Sequence, residues 1–525
     1  MSEDSIRGSD QGDRSEASKG EIIRFPAEGL PVPDGGGSCD LESGTAAPEL
    51  GEPELVERFG DPVVYNTNKD GKAYVSGINE AFWAGLYASE HVVIYEPDEH
   101  LFYQYDSATG LFVKISADLI KQTISKRLLE TSREVGGWDR LEQMRTDRRL
   151  SSVVSQLRGI VESREFFSNK RFRAIHFAES FLVLFGSIRG PASLSEIFRS
   201  RNRSPISYDP GAQCPRFLNE LLLPAVGTEG GALVQKMAGQ FLLGENLTQR
   251  LLIIDGLGER GKTQLANVLQ EIVGRANVTQ LRTRHLEDRF ELSRLLGKTL
   301  LIGVDVDADF LSTKGASTIK GLVGGDWFDA ERKGSNGSFR FQGNLNIIMT
   351  SNSRLQVRLQ RDVVAWRRRL LIVRCEGAAP RHKIPKFAEQ LIREEGSGIV
   401  NWALDGLSML LSDIDRTGDI VLTAGQIGVV EDLLAESDSI REFLVERIEK
   451  RCGSDITVLQ LRQGYAEYCA DRGWAPRPES QIHGALKSLM RELFQMEQSH
   501  DLLSQGKSVR GYHGVCPIQQ GGQRE

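Results

Sequence analysis

Long apolar runs are missing from this chain of 525 residues. None approaches the ~20 residues that a membrane-spanning helix needs, so no membrane partner is expected. No secretory leader is expected either, because MSEDSIRGSDQGDRSEASKG is charged and polar throughout. Cysteine is scarce: the six residues Cys39, Cys214, Cys375, Cys452, Cys469 and Cys516 form no C-x-x-C pair. Neither a zinc site nor a disulfide framework is therefore indicated, and the expectation is a cytoplasmic protein with free thiols. No internal repeat is visible. A strong global field is also lacking. The net charge is -7, but residues 1–60 hold 14 Asp/Glu against 5 Lys/Arg, which is -9, so the remainder carries -7 minus -9, or +2. Any nucleic-acid contact must then come from local patches. What is present is an ordinary soluble composition, 40% apolar and 26% charged, with material for several cores. The length allows roughly three or four domains.

Residues 1–70 contain PAEGLPVPDGGGS and GTAAPELGEPE, rich in Pro, Gly and Glu and without periodicity. They predict a disordered acidic tail, with order beginning near Tyr74. INEAFWAGLYASE reads as a helix. HVVIYEPDEHLFYQYDSATGLFVKI reads as three short strands, with EPDEH and DSATG as turns. From Ser116 to about Phe185 the pattern turns helical, clearest in ADLIKQTISKRLLE. Residues 71–200 are thus expected to form a small α+β domain. Residues 201–430 are expected to form a central core with flanking helices, and residues 431–525 a separate unit. In that last unit SIREFLVERIEK, QLRQGYAEYCADRG and ESQIHGALKSLMRELF predict three helices, followed by a strand pair around SQGKSVRGYHGV. This is the order of a winged helix. Lys487 and Arg491 lie one turn apart on the third helix, and Lys507 and Arg510 fall in the wing, giving four candidate DNA contacts.

The core carries GLGERGKT at residues 256–263, a full match to G-x-x-x-x-G-K-[ST] between a buried strand, LLIID, and an amphipathic helix, TQLANVLQEIV. Gly256, Gly258, Glu259, Arg260 and Gly261 would turn backbone N–H groups toward the phosphates of ATP at a helix N-terminus. Lys262 would reach the β- and γ-phosphates, its ammonium open to solvent otherwise, and Thr263 would bind Mg²⁺. TLLIGVDVDADF supplies the acids. Asp305 and Asp307 follow a buried strand and share one side of it if the strand persists. One would hold Mg²⁺ and the other orient the attacking water, with Asp305 favoured for the metal. LNIIMTSN ends in Asn352, a polar group able to hold that water. AWRRRLLIV places Arg367, Arg368 and Arg369 before an apolar strand, and one positioned arginine can stabilise phosphoryl transfer. FDAERKGSNGSFRF has hairpin chemistry at its Asn-Gly and carries Arg332, Lys333 and Arg340, cations able to grip a phosphate backbone.

These segments in this order resemble superfamily 3 helicases, in particular the phage and plasmid primase–helicase family with its poxvirus-type relatives. The resemblance covers about residues 75–515. Walker A is generic, whereas K-x-L-x-G-G-D at residues 320–326 is specific to the family. The likeness implies an AAA+-like P-loop core with a parallel sheet, assembled as a hexameric ring on single-stranded and forked DNA and unwinding 3′→5′. By position, Lys262 and Thr263 match the Walker A pair, Asp305 the Walker B acid and Asn352 sensor 1. Lys333 matches the DNA-contacting lysine of the hairpin, and Arg368 or Arg369 the finger acting on a neighbouring subunit. Two departures stand out. Walker B reads Asp-Val-Asp in place of adjacent acids, which admits a weak ATPase. No primase domain is recognised before the helicase region, so a separate primase or polymerase would supply priming. Three activities follow: an ATP-driven replicative helicase of a phage, prophage or plasmid, a DNA-binding initiator or regulator that uses ATP only to assemble, and an ATPase that remodels protein. The basic hairpin and the winged helix speak against the last.

Overall fold

The computed structural model describes residues 52–134, 139–170, 172–185, 188–307, 310–312, 315–332, 338–352, 363–380, 382–504 and 507–518. Order begins earlier than the composition of residues 1–70 predicts. Helix α1 (Glu52–Phe59) and strand β1 (Val63–Thr67) precede β2 (Ala73–Ile78), with which β1 pairs antiparallel. The reason is local: Leu55 and Val63 sit in an acidic stretch yet are 2% and 4% exposed, packed with Phe82 and Trp83. Helix α2 (Glu80–Glu90) follows, its start capped by the Asn79 side chain, which accepts from the amides of Ala81 and Phe82. Strands β3 (Val93–Glu96), β4 (Leu101–Asp106) and β5 (Leu111–Ile115) form the expected three-stranded meander. Helices α3 (Ala117–Glu134) and α4 (Asp147–Ile160) close over it. The helical pattern then stops. β6 (Ala174–His176), β7 (Phe181–Phe185) and β8 (Ile188–Ala192) make a second antiparallel sheet where helix was expected up to Phe185. FLVLF is an unbroken apolar run, and such a run does not distinguish helix from strand by period.

The core follows in the order α5 (Leu223–Leu243), β9 (Leu251–Asp255), α6 (Lys262–Val273), β10 (Val278–Gln280), β11 (Leu300–Gly303), α7 (Gly315–Gly324), β12 (Trp327–Glu331), β13 (Ser338–Gln342), β14 (Asn346–Ser351), α8 (Val363–Arg367), β15 (Leu370–Arg374), α9 (Phe387–Thr417) and α10 (Ala424–Ser437). Five strands form one parallel sheet in the order β10-β11-β14-β9-β15. Alternate residues of each strand feed different layers. Leu252, Ile254 and Ile348 pack against α5, α6 and α9, whereas Leu251, Ile253 and Ile347 pack against α7, the β12–β13 hairpin and α10. Burial on both faces explains why these strands read as continuous apolar runs. The α5–α9 contact is backbone-close: a Cβ on Gly406 would lie 2.0 Å from the Gln235 carbonyl oxygen.

The C-terminal part has its own hydrophobic cluster around Phe443, Leu461, Tyr465, Leu486 and Met490. It runs α11 (Ser439–Arg447), β16 (Ile448–Thr457), α12 (Val458–Asp471), α13 (Glu479–Phe494), β17 (Ser499–Ser504) and β18 (Lys507–Pro517). The three helices and the strand pair are as expected. Strand β16 is additional: it takes over residues read as the end of the first helix and pairs with β18, in the order β16-β18-β17. Among the described residues no helix is long and apolar enough to cross a membrane.

Candidate functional site

Strand β9 is buried along its whole length and delivers the chain to the glycine-rich loop at residues 256–261. Gly256 has φ 140°, and a Cβ there would come 2.5 Å from the Cys375 carbonyl oxygen, so only glycine fits. Gly261, at φ 88°, caps the start of α6, and Glu259 also has positive φ, at 66°. The loop is tied to the segment beyond β15. Arg260 Nη1 donates to the Cys375 carbonyl at 3.3 Å, and Lys383 Nζ lies 2.6 Å from Glu259 Oε1. Cys375 is itself buried beneath the loop, and burial pushes its thiol up to about 11.

Lys262 opens α6. It was expected to reach into solvent, but it is 4% exposed, and its Nζ donates to the carbonyls of Gly256 and Leu257 at 2.7 Å each. The ammonium folds back onto its own loop because a buried charge must find acceptors. Thr263 beside it is exposed. A cleft of about 620 Å³ opens here, lined by residues 258–264, by Asp305 and Asn352, and by His382, Lys383 and Phe387. The cleft thus joins eight residues picked from sequence: Gly258, Glu259, Arg260, Gly261, Lys262, Thr263, Asp305 and Asn352.

The two aspartates separate. β11 ends at Gly303, so the alternation that would set Asp305 and Asp307 on one side does not apply. The chain turns at Asp305, which has φ 49° and whose amide donates to Thr350 Oγ1 at 3.1 Å. This turn brings Asp305 Oδ1 within 2.8 Å of Asn352 Nδ2. Asp307 instead accepts from Arg284 Nε and Nη2, at 3.0 and 2.8 Å, and does not line the cleft.

The arginine run also resolves into three environments. Arg367 makes a bidentate pair with Glu431, at 2.6 and 2.9 Å. Arg369 is half-buried, with Nη1 donating to the Ala365 carbonyl at 3.2 Å. Arg368 is exposed and makes no ion pair among the described residues. None of the three lines the cleft.

Strands β12 and β13 pair antiparallel as a hairpin, with Trp327–Gln342 and Glu331–Ser338 as the end pairs, while Asn336 and Gly337 lie outside the described residues. Lys333 lies outside the described residues. Arg332 turns inward: its Nη1 donates to the Glu99 carbonyl at 2.9 Å, and its guanidinium sits 4.3 Å from the Phe339 ring centroid. It docks the hairpin on the β3–β4 turn, aided by the Arg340 amide donating to the Asp98 carbonyl at 3.2 Å. Lys487, Arg491, Lys507 and Arg510 are all exposed, and Arg491 pairs with Glu497 at 2.6 Å.

Residues missed from sequence are His382, Lys383 and Phe387 of the cleft wall, Thr350, which fixes Asp305, and Arg284, which holds Asp307. The available signal was the basic stretch HKIPK after the last core strand. The others carry no local mark, because their partners come from other elements.

Residues 254–369 match a family model described as a family of unknown function (DUF5906). That span begins in β9 and ends at the arginine run. No curated protein matches the chain. Among solved structures, the apo C-terminal region of NrS-1 is similar at 12% identity and a TM-score of 0.46, covering 82% of this chain and 98% of that one. An A-form apo structure of the NrS-1 C-terminal region has 11% identity and a TM-score of 0.44, again covering 82% and 98%. Likeness at that level lends this chain no activity.

Proposed function

We propose that this chain is an ATP-dependent DNA helicase of the superfamily 3 type, working as a ring, in the replication of a phage, prophage or plasmid. The observation that carries the reading is the meeting of Lys262, Thr263, Asp305 and Asn352 in one cleft at the ends of parallel strands. Open parallel sheets bind ligands outside the carboxyl ends of their strands. The loop amides at the start of α6 suit an anion, and Lys262 would exchange its two loop carbonyls for phosphate oxygens. An exposed hydroxyl and one carboxylate fit Mg²⁺, a cation that keeps several waters and takes few protein ligands. Thr263 and Asp305 would hold it, and it would take up charge developing on the phosphates. Asn352, oriented by Asp305, would position the attacking water. Arg368, exposed and outside its own cleft, would complete the site of the next copy. In the same reading the C-terminal unit is a winged helix that adds affinity for duplex DNA.

A second reading has one observation in its favour. Asp307, the alternative water-orienting acid, is held by Arg284 away from the cleft. An initiator that binds ATP to assemble, with little turnover, would need no such acid. ATP hydrolysis and fork unwinding by the full chain separate the two. Turnover that drives unwinding supports the helicase. Nucleotide-dependent assembly on DNA without turnover supports the initiator.

A further inference from the structure

A second cleft, of about 370 Å³, lies where the N-terminal part meets the core. Its walls include the β3–β4 turn, residues 165–170 and 199–204, the end of α5 and the first residue of β12. The proposed nucleotide chemistry does not use it.

Its charge can be balanced group by group. Glu99 and Arg201 neutralise each other at 2.6 Å, with the Tyr103 hydroxyl donating to the other carboxylate oxygen at 2.5 Å. Glu245 lines the cleft and pairs at 3.7 Å with Arg173, which lies outside it, as Arg340 of the wall pairs at 3.7 Å with Asp329. Glu96 is 3% exposed and accepts from the Phe166 amide, and burial raises its pKa. The acids left are Glu96, Asp98 and Glu165. Against them stand Lys170, Arg199, Arg203 and Lys298. The last three donate to backbone carbonyls, which orient them without cancelling their charge. Lys170 makes no salt bridge among the described residues; burial lowers its pKa, and the Glu245 carboxylate of the same wall raises it. Three acids against four cations leave the cleft with a small positive excess.

At its edge stands Trp327. β12 turns Ala330 into the core, and Phe328 packs against the same cluster, but Trp327 is 48% exposed. The Arg340 guanidinium lies 5.0 Å from its ring centroid. An indole kept half in water beside cations, on a hairpin whose other face already fills the core, adds little to folding. It suits a nucleobase, which stacks on an aromatic face while its phosphates meet cations.

We propose that this cleft binds single-stranded DNA, with a base stacked on Trp327 and backbone phosphates met by Lys170 and Lys298. The inference rests on the reading of the chain as a DNA-handling protein, but not on ATP chemistry. The test is titration of fluorescein-labelled oligo(dT) into the full chain without nucleotide, over a salt series. Trp327→Ala is expected to weaken binding about five- to a hundredfold, and Trp327→Phe to restore most of it. Lys170→Gln combined with Lys298→Gln should flatten the slope of log affinity against log salt by about 1.4, or about 0.7 per phosphate contact. Parental affinity and slope in these variants would overturn the proposal, as would equal losses in the Ala and Phe variants, which would make Trp327 structural. ATP turnover on the same samples reports separately. A chain without turnover that still binds through Trp327 defeats the helicase and leaves this site standing. Turnover accompanied by binding indifferent to Trp327 does the reverse.

Discussion

Asp305 and Asp307 stand two positions apart, and the bend at Asp305 gives them different partners, Asn352 and Arg284. Asp305→Asn should reduce Mg²⁺-dependent turnover about a hundredfold or more, since the lost group acts on transition-state charge. Asp307→Asn should leave turnover within about threefold, because it breaks only an exposed pair. Steady-state ATPase assays on the two variants decide; equal losses would put both acids in the site. Lys262 adds a stability readout. Its ammonium satisfies the Gly256 and Leu257 carbonyls, so Lys262→Ala should stop hydrolysis and also cost about 1–3 kcal/mol. A thermal melt matching the parent would show those hydrogen bonds to be dispensable. The glycine-rich loop was legible in sequence because its parts are contiguous. The split of the aspartates was not, since it depends on where β11 ends. Nor was the place of Arg332, whose partner Glu99 is 233 positions away.

Elements whose signal is short-range were read well. The Asn-Gly signal announced the β12–β13 hairpin, and periodicity announced α3. Strands β6–β8 and β16 were missed, because tertiary pairing decides such stretches over weak local preference. The helix pair α5–α9 depends on Gly406, whose missing side chain lets α9 meet the Gln235 carbonyl. Gly406→Ala should lower stability by about 1–3 kcal/mol through overpacking, seen as a lower midpoint in denaturant. The C-terminal sheet carries a pH dependence. His513 on β18 bridges Asp455 on β16 and Asp501 on β17, at 2.8 and 3.1 Å, and both hydrogen bonds raise its pKa. A pKa raised on folding contributes stability fully below the unfolded value, and that contribution is lost as pH rises through the folded value. Amide exchange in these strands, corrected for intrinsic rates, should therefore be faster at about pH 8 than at about pH 6, values on either side of the histidine range. His513→Ala should remove the difference.

At the scale of the whole molecule, the composition indicated several cores, and the packing falls into separate clusters for the N-terminal part, the two faces of the sheet and the C-terminal unit. Assembly is the part no single chain displays. Under the proposed function Lys262 serves its own cleft and Arg368 a neighbour's. Arg368→Ala and Lys262→Ala chains, each inactive alone, should then recover part of the ATPase when mixed under conditions of subunit exchange. No recovery in exchanging mixtures would return Arg368 to a role within its own chain. The central claim, that this chain spends ATP on DNA, meets its most direct test in ATP turnover by the purified chain, with Mg²⁺, in the presence and absence of single-stranded DNA. The account predicts turnover that rises with DNA and vanishes in Lys262→Ala. Turnover that is absent, or that survives Lys262→Ala unchanged, would contradict it.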